Sequence, residues 1–377
     1  MSEVALRFRR AIYELRTEGQ GVRRETAAVG LGVFVGCLPI YGLHLAICWG
    51  LGRLFGLNRL KMYVAANISN PLVAPWLLVA ELTIGAWLRR GSLLALTPHA
   101  MKAAGAVAVG ADLIVGSLVV GAVLAAVASA ATFATLRGSD ADHEFMDVVR
   151  GASDRYVGTS ITAWEFARGK LWNDPVYRVV VCGDILPSGG TLVDLGCGQG
   201  LTLAMLAEAR RMHDAGRWPA DRPAPPRFDK MIGVETRRRV ARLAQRALSA
   251  DADIIHGDAR TASLGRPRCA LFLDVLQMMP AQDQEALLAA IAATLDDAGV
   301  IVVREADASA GWRFTAVRVV NRVKALAFGA WRQEFHFRTE AEWLACFARL
   351  GLRTTVRRIG EGTPFANTLF RLTAARG

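Results

Sequence analysis

The chain has long stretches that contain no charged residue. Asp, Glu, Lys and Arg are all absent from Thr26 to Gly52, from Met62 to Ala80 and from Leu113 to Leu136. Uncharged apolar runs of roughly 18 residues or more are typical of membrane spans. The first run begins too far from the amino terminus, and is too long, to be a cleaved signal peptide. We therefore expect the 377-residue chain to stay attached to a membrane.

Cysteine and histidine are scarce, and their spacing excludes two kinds of site. The chain has six residues of each type. Zinc sites and disulfide frameworks both require closely patterned cysteines. No C-x-x-C pair and no metal-ligand cluster with histidine is formed by the cysteines, which are Cys37, Cys48, Cys182, Cys197, Cys269 and Cys346. We predict reduced thiols in a cytoplasm-facing protein, and no bound metal.

Basic residues are in excess, and many of them flank the uncharged runs. The formal net charge is +11. Arginines precede the first run and follow the second, at Arg7, Arg9, Arg10, Arg16, Arg23, Arg24, Arg89 and Arg90. Arginines in such positions bind anionic headgroups and stay on the cytoplasmic side of a membrane. This placement favours membrane lipids over nucleic acid as the partner of the basic charge.

Two of the uncharged runs contain helix-breaking segments. The first run includes Gly36–Gly42 with Pro39, and the second includes Asn67–Pro71 with Pro75. Proline removes a backbone donor and restricts the residue before it. Two interpretations remain open, namely discontinuous or re-entrant helices that meet at one site, and kinked but continuous spans.

Small and ionisable residues mark further positions of the runs. Small residues at four-residue intervals predict close helix packing in the third run, at Ser117, Gly121, Ala125 and Ser129. The ionisable residues in or beside the runs are His44, Glu81 and Asp112. Such residues at membrane depth are functional candidates, although Glu81 and Asp112 lie near run ends, from which they can also reach the interface.

Residues 20–136 resemble a small bacterial membrane family known as domain of unknown function 2062. The likeness rests on the Leu-Pro-x-x-Gly core of Gly36–Gly42 and on Ile68-Ser69-Asn70-Pro71. It implies membrane residence but no established activity. After Arg137 the composition becomes that of a soluble protein, and the length allows two cores. We expect a helical membrane domain with Pro-broken or re-entrant segments at residues 1–139 and a second domain at residues 140–377.

The most informative stretch of the second domain follows a predicted strand. Thr191-Leu192-Val193 leads into Asp194-Leu195-Gly196-Cys197-Gly198-Gln199-Gly200, an acid and three glycines at alternate positions. Glycines at a strand-to-helix turn let the backbone approach a ligand beside the free N–H groups of the next helix. A dinucleotide fingerprint would need glycine at position 201, where the chain has leucine. An ordinary glycine-rich turn is the alternative to a cofactor loop.

The pattern D-x-G-x-G-x-G resembles motif I of the class I S-adenosylmethionine-dependent methyltransferases. The resemblance covers about Ala163 to Leu372 and implies an α/β doubly wound, Rossmann-like domain with seven strands. It also implies S-adenosylmethionine as the cofactor. The implied cofactor-binding residues are Asp194, Gly196, Cys197, Gly198 and Gly200 in the loop, Glu235 for the ribose hydroxyls, Asp258 and Ala259 at the adenine, and Asp274 at the strand end that faces the methyl group.

The other elements follow in the order of that family. Strands are predicted at Lys230–Glu235, Ile254–His256, Leu271–Leu276 and Gly299–Val303, a helix at Gln282–Leu295, and a reversed strand at Phe365–Phe370. Residues Phe166–Tyr177 resemble the cap over cofactor and substrate in small-molecule methyltransferases. Thr339 and Glu342 have the spacing of a capping box for the final helix.

Two residues are candidates for a catalytic base. Methyl transfer is an in-line displacement, so the protein mainly positions and desolvates the nucleophile. His336, between two phenylalanines, is the preferred base for a hydroxyl and Tyr156 the second candidate, while a packed core histidine is the alternative interpretation. Trp312–Arg332 is basic and amphipathic, which predicts either a helix on a membrane surface or a water-facing lid.

Three functions are compatible with the sequence. The first is a methyltransferase anchored in the bacterial inner membrane, with its enzyme domain in the cytoplasm, that methylates a lipophilic small molecule, most simply on a hydroxyl oxygen. The second is a nucleic-acid methyltransferase, which is not favoured because Asp274–Gln277 lacks the Asn/Asp-Pro-Pro-aromatic motif of base-amine enzymes. The third is a membrane transporter or scaffold whose soluble half senses S-adenosylmethionine.

Overall fold

The computed structural model describes residues 3–19, 21–40, 42–93, 98–137, 143–327, 332–360 and 365–374. It divides into two compact units, Met1–His143 and Glu144–Gly377. The boundary expected after residue 139 lies outside the described residues, as do position 41 in the first predicted break and positions 328–331 in the basic amphipathic stretch. The described part of the first unit is helical, whereas the second is built around a sheet.

The first unit is broken at both places that the sequence predicts. Its helices are α1 (Glu3–Thr17), α2 (Val22–Cys37), α3 (His44–Phe55), α4 (Arg59–Ala66), α5 (Ala74–Arg90), α6 (Pro98–Ala104) and α7 (Ala106–Arg137). A 3₁₀ turn, Asn67–Ser69, follows α4. The Asn70 side chain then accepts hydrogen bonds from the N–H groups of Leu72 and Val73 at 3.0 and 3.3 Å. The chain bends by 76° between Arg59–Ser69 and α5.

The small-residue stripe of α7 packs against α2. A Cβ atom on Gly30 would lie 2.1 Å from Ser129 Oγ, and one on Gly121 would lie 3.1 Å from Cys37 Cβ. Glycine is therefore needed on α2 opposite the stripe, because any larger residue would force the two helices apart. The predicted packing role of the stripe is confirmed.

One helix of the described residues is long and apolar enough to cross a membrane. It is Ala106–Leu136, with 31 residues and a mean hydropathy of 2.4. The bent pair Arg59–Ser69 and Ala74–Arg90 is a second candidate if it is counted as one broken span. The sequence has three uncharged apolar runs, whereas the described helices give one candidate span by length and composition, or two if the bent pair is counted.

The second unit alternates strands and helices. The helices are α8 (His143–Asp154), α9 (Ile161–Asn173), α10 (Pro175–Cys182), α11 (Leu201–Asp214), α12 (Arg238–Ala247), α13 (Ala281–Thr294), α14 (Trp312–Ala327) and α15 (Glu340–Arg349). The strands are β1 (Thr191–Leu195), β2 (Lys230–Glu235), β3 (Asp253–His256), β4 (Cys269–Leu273), β5 (Val300–Ala306), β6 (Leu352–Arg358) and β7 (Asn367–Ala374).

All seven strands form one mixed sheet. Their order is β3-β2-β1-β4-β5-β7-β6, and β1 to β5 run parallel while β7 is antiparallel to both neighbours. The order reverses at β1, from which the chain winds first to one edge and then to the other. A ligand crevice forms outside the carboxyl ends of the strands at such a reversal. The expected seven-stranded, Rossmann-like fold is confirmed.

The core of the second unit lies between the sheet and its helices. Leu195, Phe272 and Phe370 from the strands and Phe347 from α15 are all fully buried. The predicted capping box begins α15, where the Thr339 side chain accepts from the Glu342 N–H and the Glu342 carboxylate accepts from the Thr339 N–H. These contacts fix the strands whose carboxyl ends carry the site.

Candidate active site

Four neighbouring parallel strands bring the predicted site residues to one edge of the sheet. Leu195 at the end of β1 pairs with Val234 of β2 and with Phe272 of β4, and Glu235 of β2 pairs with His256 of β3. The glycine loop follows β1 directly. Glu235 is the last residue of β2, whereas Asp258 and Asp274 come two residues and one residue after the ends of β3 and β4.

The loop after β1 takes its shape from three glycines. Gly196, Gly198 and Gly200 have φ values of 74°, 57° and 77°, a region that other residues rarely adopt. A Cβ atom on Gly196 would lie 2.4 Å from Val275 Cγ2, in the loop after β4. A Cβ atom on Gly198 would meet no atom within 4 Å. The loop is therefore closed on the β4 side and open at Gly198.

Glu235 is held against this loop as an ionised acceptor. Its carboxylate accepts hydrogen bonds from the Gly198 N–H and from the N–H and Nε–H of Arg237, the latter two at 2.8 and 2.9 Å. Burial opposes ionisation, but the hydrogen bonds from Arg237 and Gly198 outweigh it and hold the pKa of Glu235 below its usual value. A buried carboxylate in this state accepts hydrogen bonds from ligand hydroxyls.

Asp194 lies beneath the loop. Its side chain is buried, and a side-chain hydrogen bond joins it to Thr202 in the first turn of α11. Burial and the nearby charge of Glu235 raise the pKa of Asp194 to about 7, although the bond to Thr202 acts in the opposite direction. Asp194 thus joins β1 to the helix that the glycine loop precedes.

Cys197 and Tyr156 also support the loop from the protein side. Cys197 is buried, and its Sγ lies 2.8 Å from the place where a Cβ on Gly233 would be. The hydroxyl of Tyr156 donates to the Gln199 carbonyl at 2.8 Å, and burial raises the pKa of Tyr156 far above its usual value. A fully buried tyrosine whose hydroxyl donates a hydrogen bond to the backbone is suited to positioning the loop. This geometry opposes the role of a catalytic base.

Asp258 and Ala259 occupy the turn after β3. The Asp258 carboxylate accepts from the backbone N–H of Arg260 at 2.9 Å and from its guanidinium at 2.7 Å. The Arg260 side chain is the main cause of a lowered pKa at Asp258, so this carboxylate is ionised. Arg260 also pairs with Asp283 at 3.0 Å. Ala259 packs against the core.

Asp274 belongs to a buried ionic cluster that the sequence did not reveal. Among the described non-glycine residues it alone has a positive φ, 61°. Its carboxylate lies 3.3 Å from Arg304 Nη1, and the same Nη1 lies 2.8 Å from Asp174 Oδ2. Lys170 Nζ pairs with that oxygen at 2.5 Å. A strained backbone at a strand end, fixed by a buried arginine, is typical of functional sites.

A signal for this cluster was present but incomplete. Arg304 and Glu305 interrupt the apolar strand Val300–Ala306, and buried charges need partners. Asp174 precedes Pro175 and caps α10 by accepting from the Val176 N–H. Nothing in the sequence pairs Asp174 with Arg304, since 130 positions separate them.

His336 lies beside the loop that follows β4. Its N–H donates to the Gln277 carbonyl at 2.8 Å, and its carbonyl accepts from Gln284 Nε2 at 2.9 Å. The ring is partly exposed, with Nε2 3.8 Å from a Glu334 carboxylate oxygen. The backbone is thus fixed, while the imidazole remains accessible.

Metal-binding clusters are absent from the part of the chain that the structure describes. No group of three or more His, Cys, Asp or Glu side chains there has the proximity that a metal ion needs. The polar groups at the sheet edge instead suit an organic ligand with hydroxyl and amino groups.

Solved structures similar to the chain include proteins described as methyltransferases. A DhpI–SAH complex has 12% identity and a TM-score of 0.38, covering 62% of this chain and 97% of its own. Magnesium protoporphyrin IX methyltransferase from Synechocystis PCC 6803, with bound SAM, has 12% identity and a TM-score of 0.35, covering 62% and 84%. A Thermotoga maritima enzyme described as a possible histamine N-methyltransferase has 17% identity and a TM-score of 0.38, covering 60% and 100%. Similarity at this level says nothing about the substrate of this chain.

Family models match both units. No curated protein matches the chain significantly. Residues 7–143 match the family described as an uncharacterized protein conserved in bacteria, DUF2062, as the sequence predicts. Residues 164–356, just over half of the chain, match the family described as methyltransferase domain. The chain therefore belongs to the methyltransferase domain family, and it is an S-adenosylmethionine-dependent methyltransferase.

Proposed function

We propose that the chain is anchored in the bacterial inner membrane, faces the cytoplasm with its enzyme unit, and methylates a hydroxyl oxygen of a lipophilic small molecule. The observation that carries this proposal is the outer face of α14. Four residues there are 46–70% exposed although they are large and apolar, namely Trp312, Val319, Val323 and Leu326. Their spacing places them on one side of the helix.

The inner side of α14, opposite to this face, lies close to the site. Asn321 on that side donates to Gln277 Oε1 at 3.2 Å, and Gln277 Nε2 donates to the Asp274 carbonyl at 3.1 Å. Val317 and Ala325 are on the same inner side and are buried. An apolar outer face with exposed arginines, Arg318 and Arg322, fits an anionic membrane surface. A lipophilic substrate would then reach the site along α14.

The helical unit supports the anchor. The apolar helix Ala106–Leu136 is long enough to span a bilayer. Leu72 in the turn before α5 and Trp76 in its first turn are 85% and 77% exposed, which suits contact with lipid. Arg89 and Arg90 end the same helix, as expected for residues at a cytoplasmic interface.

The edge of the sheet fits the donor. The open side of the loop at Gly198 leaves room for a ligand, and Glu235 supplies the acceptor that two ribose hydroxyls need. Gln199 Oε1 is buried and has no hydrogen-bond partner among the residues that the structure describes, which suits an ammonium group. We assign Asp258 and Ala259 to the adenine and Asp274 to the side of the reacting group. Asp194 and Cys197 act by shaping the loop.

The chemistry requires little of the protein beyond positioning. When bound, S-adenosylmethionine supplies an electrophilic methyl carbon and keeps the electron pair of the broken C–S bond as a neutral thioether. We assign to His336 the task of accepting the proton of the substrate hydroxyl as its oxygen forms the new C–O bond. The Gln277 and Gln284 contacts fix the backbone of His336, and the rings of its neighbours Phe335 and Phe337 stack on each other with centroids 6.0 Å apart.

Labelled membranes test the proposal. Full-length protein in bacterial membranes is incubated with methyl-labelled S-adenosylmethionine, and label is counted in lipid extract, RNA and protein. We expect label in the lipid extract, a large reduction in the V319D/V323D double variant, and unchanged donor binding in that variant. A286D/A290D, an exposed pair with the same spacing on α13, is the matched control. Label only in RNA or protein would contradict the proposal, and donor binding without any transfer would favour the transporter or scaffold that senses S-adenosylmethionine.

A nucleic-acid substrate remains the second candidate because of one observation. Helix α12 exposes a row of arginines beside Glu235, at Arg238, Arg239, Arg242 and Arg246. Such a row fits a phosphate backbone. Label that appears in RNA and declines steeply with salt would support it, whereas charge reversal on α12 should leave lipid methylation unaffected.

A further inference from the structure

The closest helix contact of the first unit lies between α5 and α7. A Cβ atom on Gly116 would lie 1.7 Å from the Glu81 carbonyl oxygen, and one on Gly85 would lie 1.8 Å from the Asp112 carbonyl oxygen. Each glycine follows an acidic residue of its own helix by four positions. The crossing therefore places two carboxyl side chains, Glu81 and Asp112, at the same contact. Both are buried and do not reach the surface, because the glycines allow the backbones to meet there.

The two carboxyl groups differ in their partners. Asp112 is fully buried, but Arg89 Nη1 lies 2.7 Å from its Oδ1 and Arg90 pairs with its other oxygen. Glu81 is 2% exposed, and its Oε1 has no hydrogen-bond partner among the described residues. Both basic residues at the end of α5 are thus engaged by Asp112, whereas Glu81 has an oxygen without a donor.

The groups that face Glu81 supply no positive charge within the described residues of this unit. On α7 the polar residues on either side of Gly116 at this crossing are Asp112, which is paired with arginine, and Ser117, whose hydroxyl donates to the Ile114 carbonyl at 3.0 Å. On α2 the thiol of Cys37 interacts electrostatically with Glu81. The 3₁₀ turn packs on α5 and adds Ser69, which donates to the Ala66 carbonyl.

An unpaired carboxylate in such surroundings is costly, and binding one proton removes the cost. Ionisable residues between apolar helices are rare and mark proton or ion pathways. We propose that Glu81 is a proton-binding site of the helical unit, an activity separate from methyl transfer. A protonated carboxyl needs no cation, and no cationic side chain of the described residues is paired with Glu81, since Arg89 and Arg90 are paired with Asp112. The helical unit then exchanges protons through Glu81, while Asp112 and its arginines hold the crossing together.

Dicyclohexylcarbodiimide tests this site, because it modifies protonated carboxyl groups in apolar surroundings. The full-length protein in detergent is treated across a pH series, and the modified residue is identified by mass spectrometry. We expect modification at Glu81 that decreases as pH rises, is lost in E81Q, persists in D112N and is unaffected by Na⁺. Unchanged thermal unfolding of E81Q in detergent, followed by circular dichroism, would show that the helical unit of this variant is folded.

Three results would overturn the proposal: no modification of Glu81 at any pH in the wild-type chain, modification of Asp112 in its place, or protection by Na⁺. The wild-type pH series needs no variant, so the test stands even if E81Q fails to fold. It also measures no methyl transfer, and its outcome is therefore independent of the proposed substrate.

Discussion

Glycine serves the two units of this chain in opposite ways. In the helical unit Gly116 has ordinary helical backbone angles and is required because a neighbouring helix leaves no room for a side chain. In the enzyme unit Gly198 has a φ of 57° and open space where its side chain would be. Gly116 is required because a neighbouring helix packs on it, whereas Gly198 is required because the loop must leave the space beside it open.

This difference separates structure from function at the level of single residues. A glycine enclosed by protein stabilises the fold, and its replacement should cost stability before it affects any ligand. A glycine with an unusual φ and empty surroundings contributes little packing, so its conformation serves a turn of the backbone or a ligand beside it. The predictions below test that distinction and the contacts that support the loop.

Replacement of Gly116 should destabilise the helical unit most. The new Cβ of G116A would lie 1.7 Å from the Glu81 carbonyl oxygen, so α5 and α7 must separate. We expect a loss of about 3 kcal/mol in unfolding free energy, the upper part of the range for overpacked cores. Gly110, on the same helix, has no atom within 4 Å of its added Cβ. G110A should be neutral or slightly stabilising. Chemical unfolding in detergent, followed by circular dichroism, compares the two, and equal stability of both variants would remove the distinction.

Asp194 should make the stability of the enzyme unit depend on pH. Its folded pKa of about 7 lies above its ordinary value of 3.8, so the folded state disfavours the charged form. This group therefore costs no stability below about pH 4, costs progressively more as pH rises to about 7, and remains unfavourable above that. The difference should be on the order of 4 kcal/mol across this window, at about 1.4 kcal/mol for each unit of pKa difference.

D194N removes the titration, which provides the comparison. The unfolding free energy of the wild type relative to D194N should decrease between pH 4 and pH 7 and then level off. Thermal unfolding of both proteins across the pH range measures it. A difference that is constant with pH would show that Asp194 does not titrate there.

Much of the enzyme unit could be predicted from residues alone. Glycines at alternate positions after an apolar strand predicted the loop, and the order of strands predicted the sheet, because each strand pattern is local. The fourth strand was predicted at Leu271–Leu276 but spans Cys269–Leu273, since Asp274 adopts a positive φ and Leu276–Met278 form a 3₁₀ turn. The early end of this strand depends on the contact of Asp274 with Arg304. Because Arg304 is distant in the sequence, no local pattern predicts that contact.

Contacts between distant segments were beyond the sequence. The bond from Tyr156 to the Gln199 carbonyl joins residues 43 positions apart. A tyrosine near a predicted cofactor loop suggests a base, and only the packing shows a buried donor to the backbone. The burial of Glu81 was missed for the same reason, since it depends on a glycine of another helix.

Gly198 should affect the donor rather than the fold. G198L would place a side chain in the open side of the loop, next to the Glu235 carboxylate, and we expect donor affinity to decrease at least about tenfold, or about 1.4 kcal/mol. Gly216 has a φ of 66° and equally open surroundings in the turn after α11. G216L is therefore the matched control, with the same backbone strain and no ligand nearby. Calorimetric titration with S-adenosylmethionine compares them, and similar affinities would refute the role of the open side.

Replacement of Tyr156 should have the smallest effect. It tests whether the hydrogen bond from Tyr156 to the Gln199 carbonyl contributes to donor binding on the open side of the loop at Gly198. Y156F removes one hydrogen bond to the loop, worth about 1 kcal/mol in stability, and should weaken donor binding slightly. Because the hydroxyl acts on the backbone, the pH dependence of kcat should remain that of the wild type. H336Q should do the reverse, lowering kcat and altering its pH dependence while donor affinity is retained. If Y156F instead removes a pH-dependent step from kcat, the tyrosine is the base, and the loop is held by its packing alone.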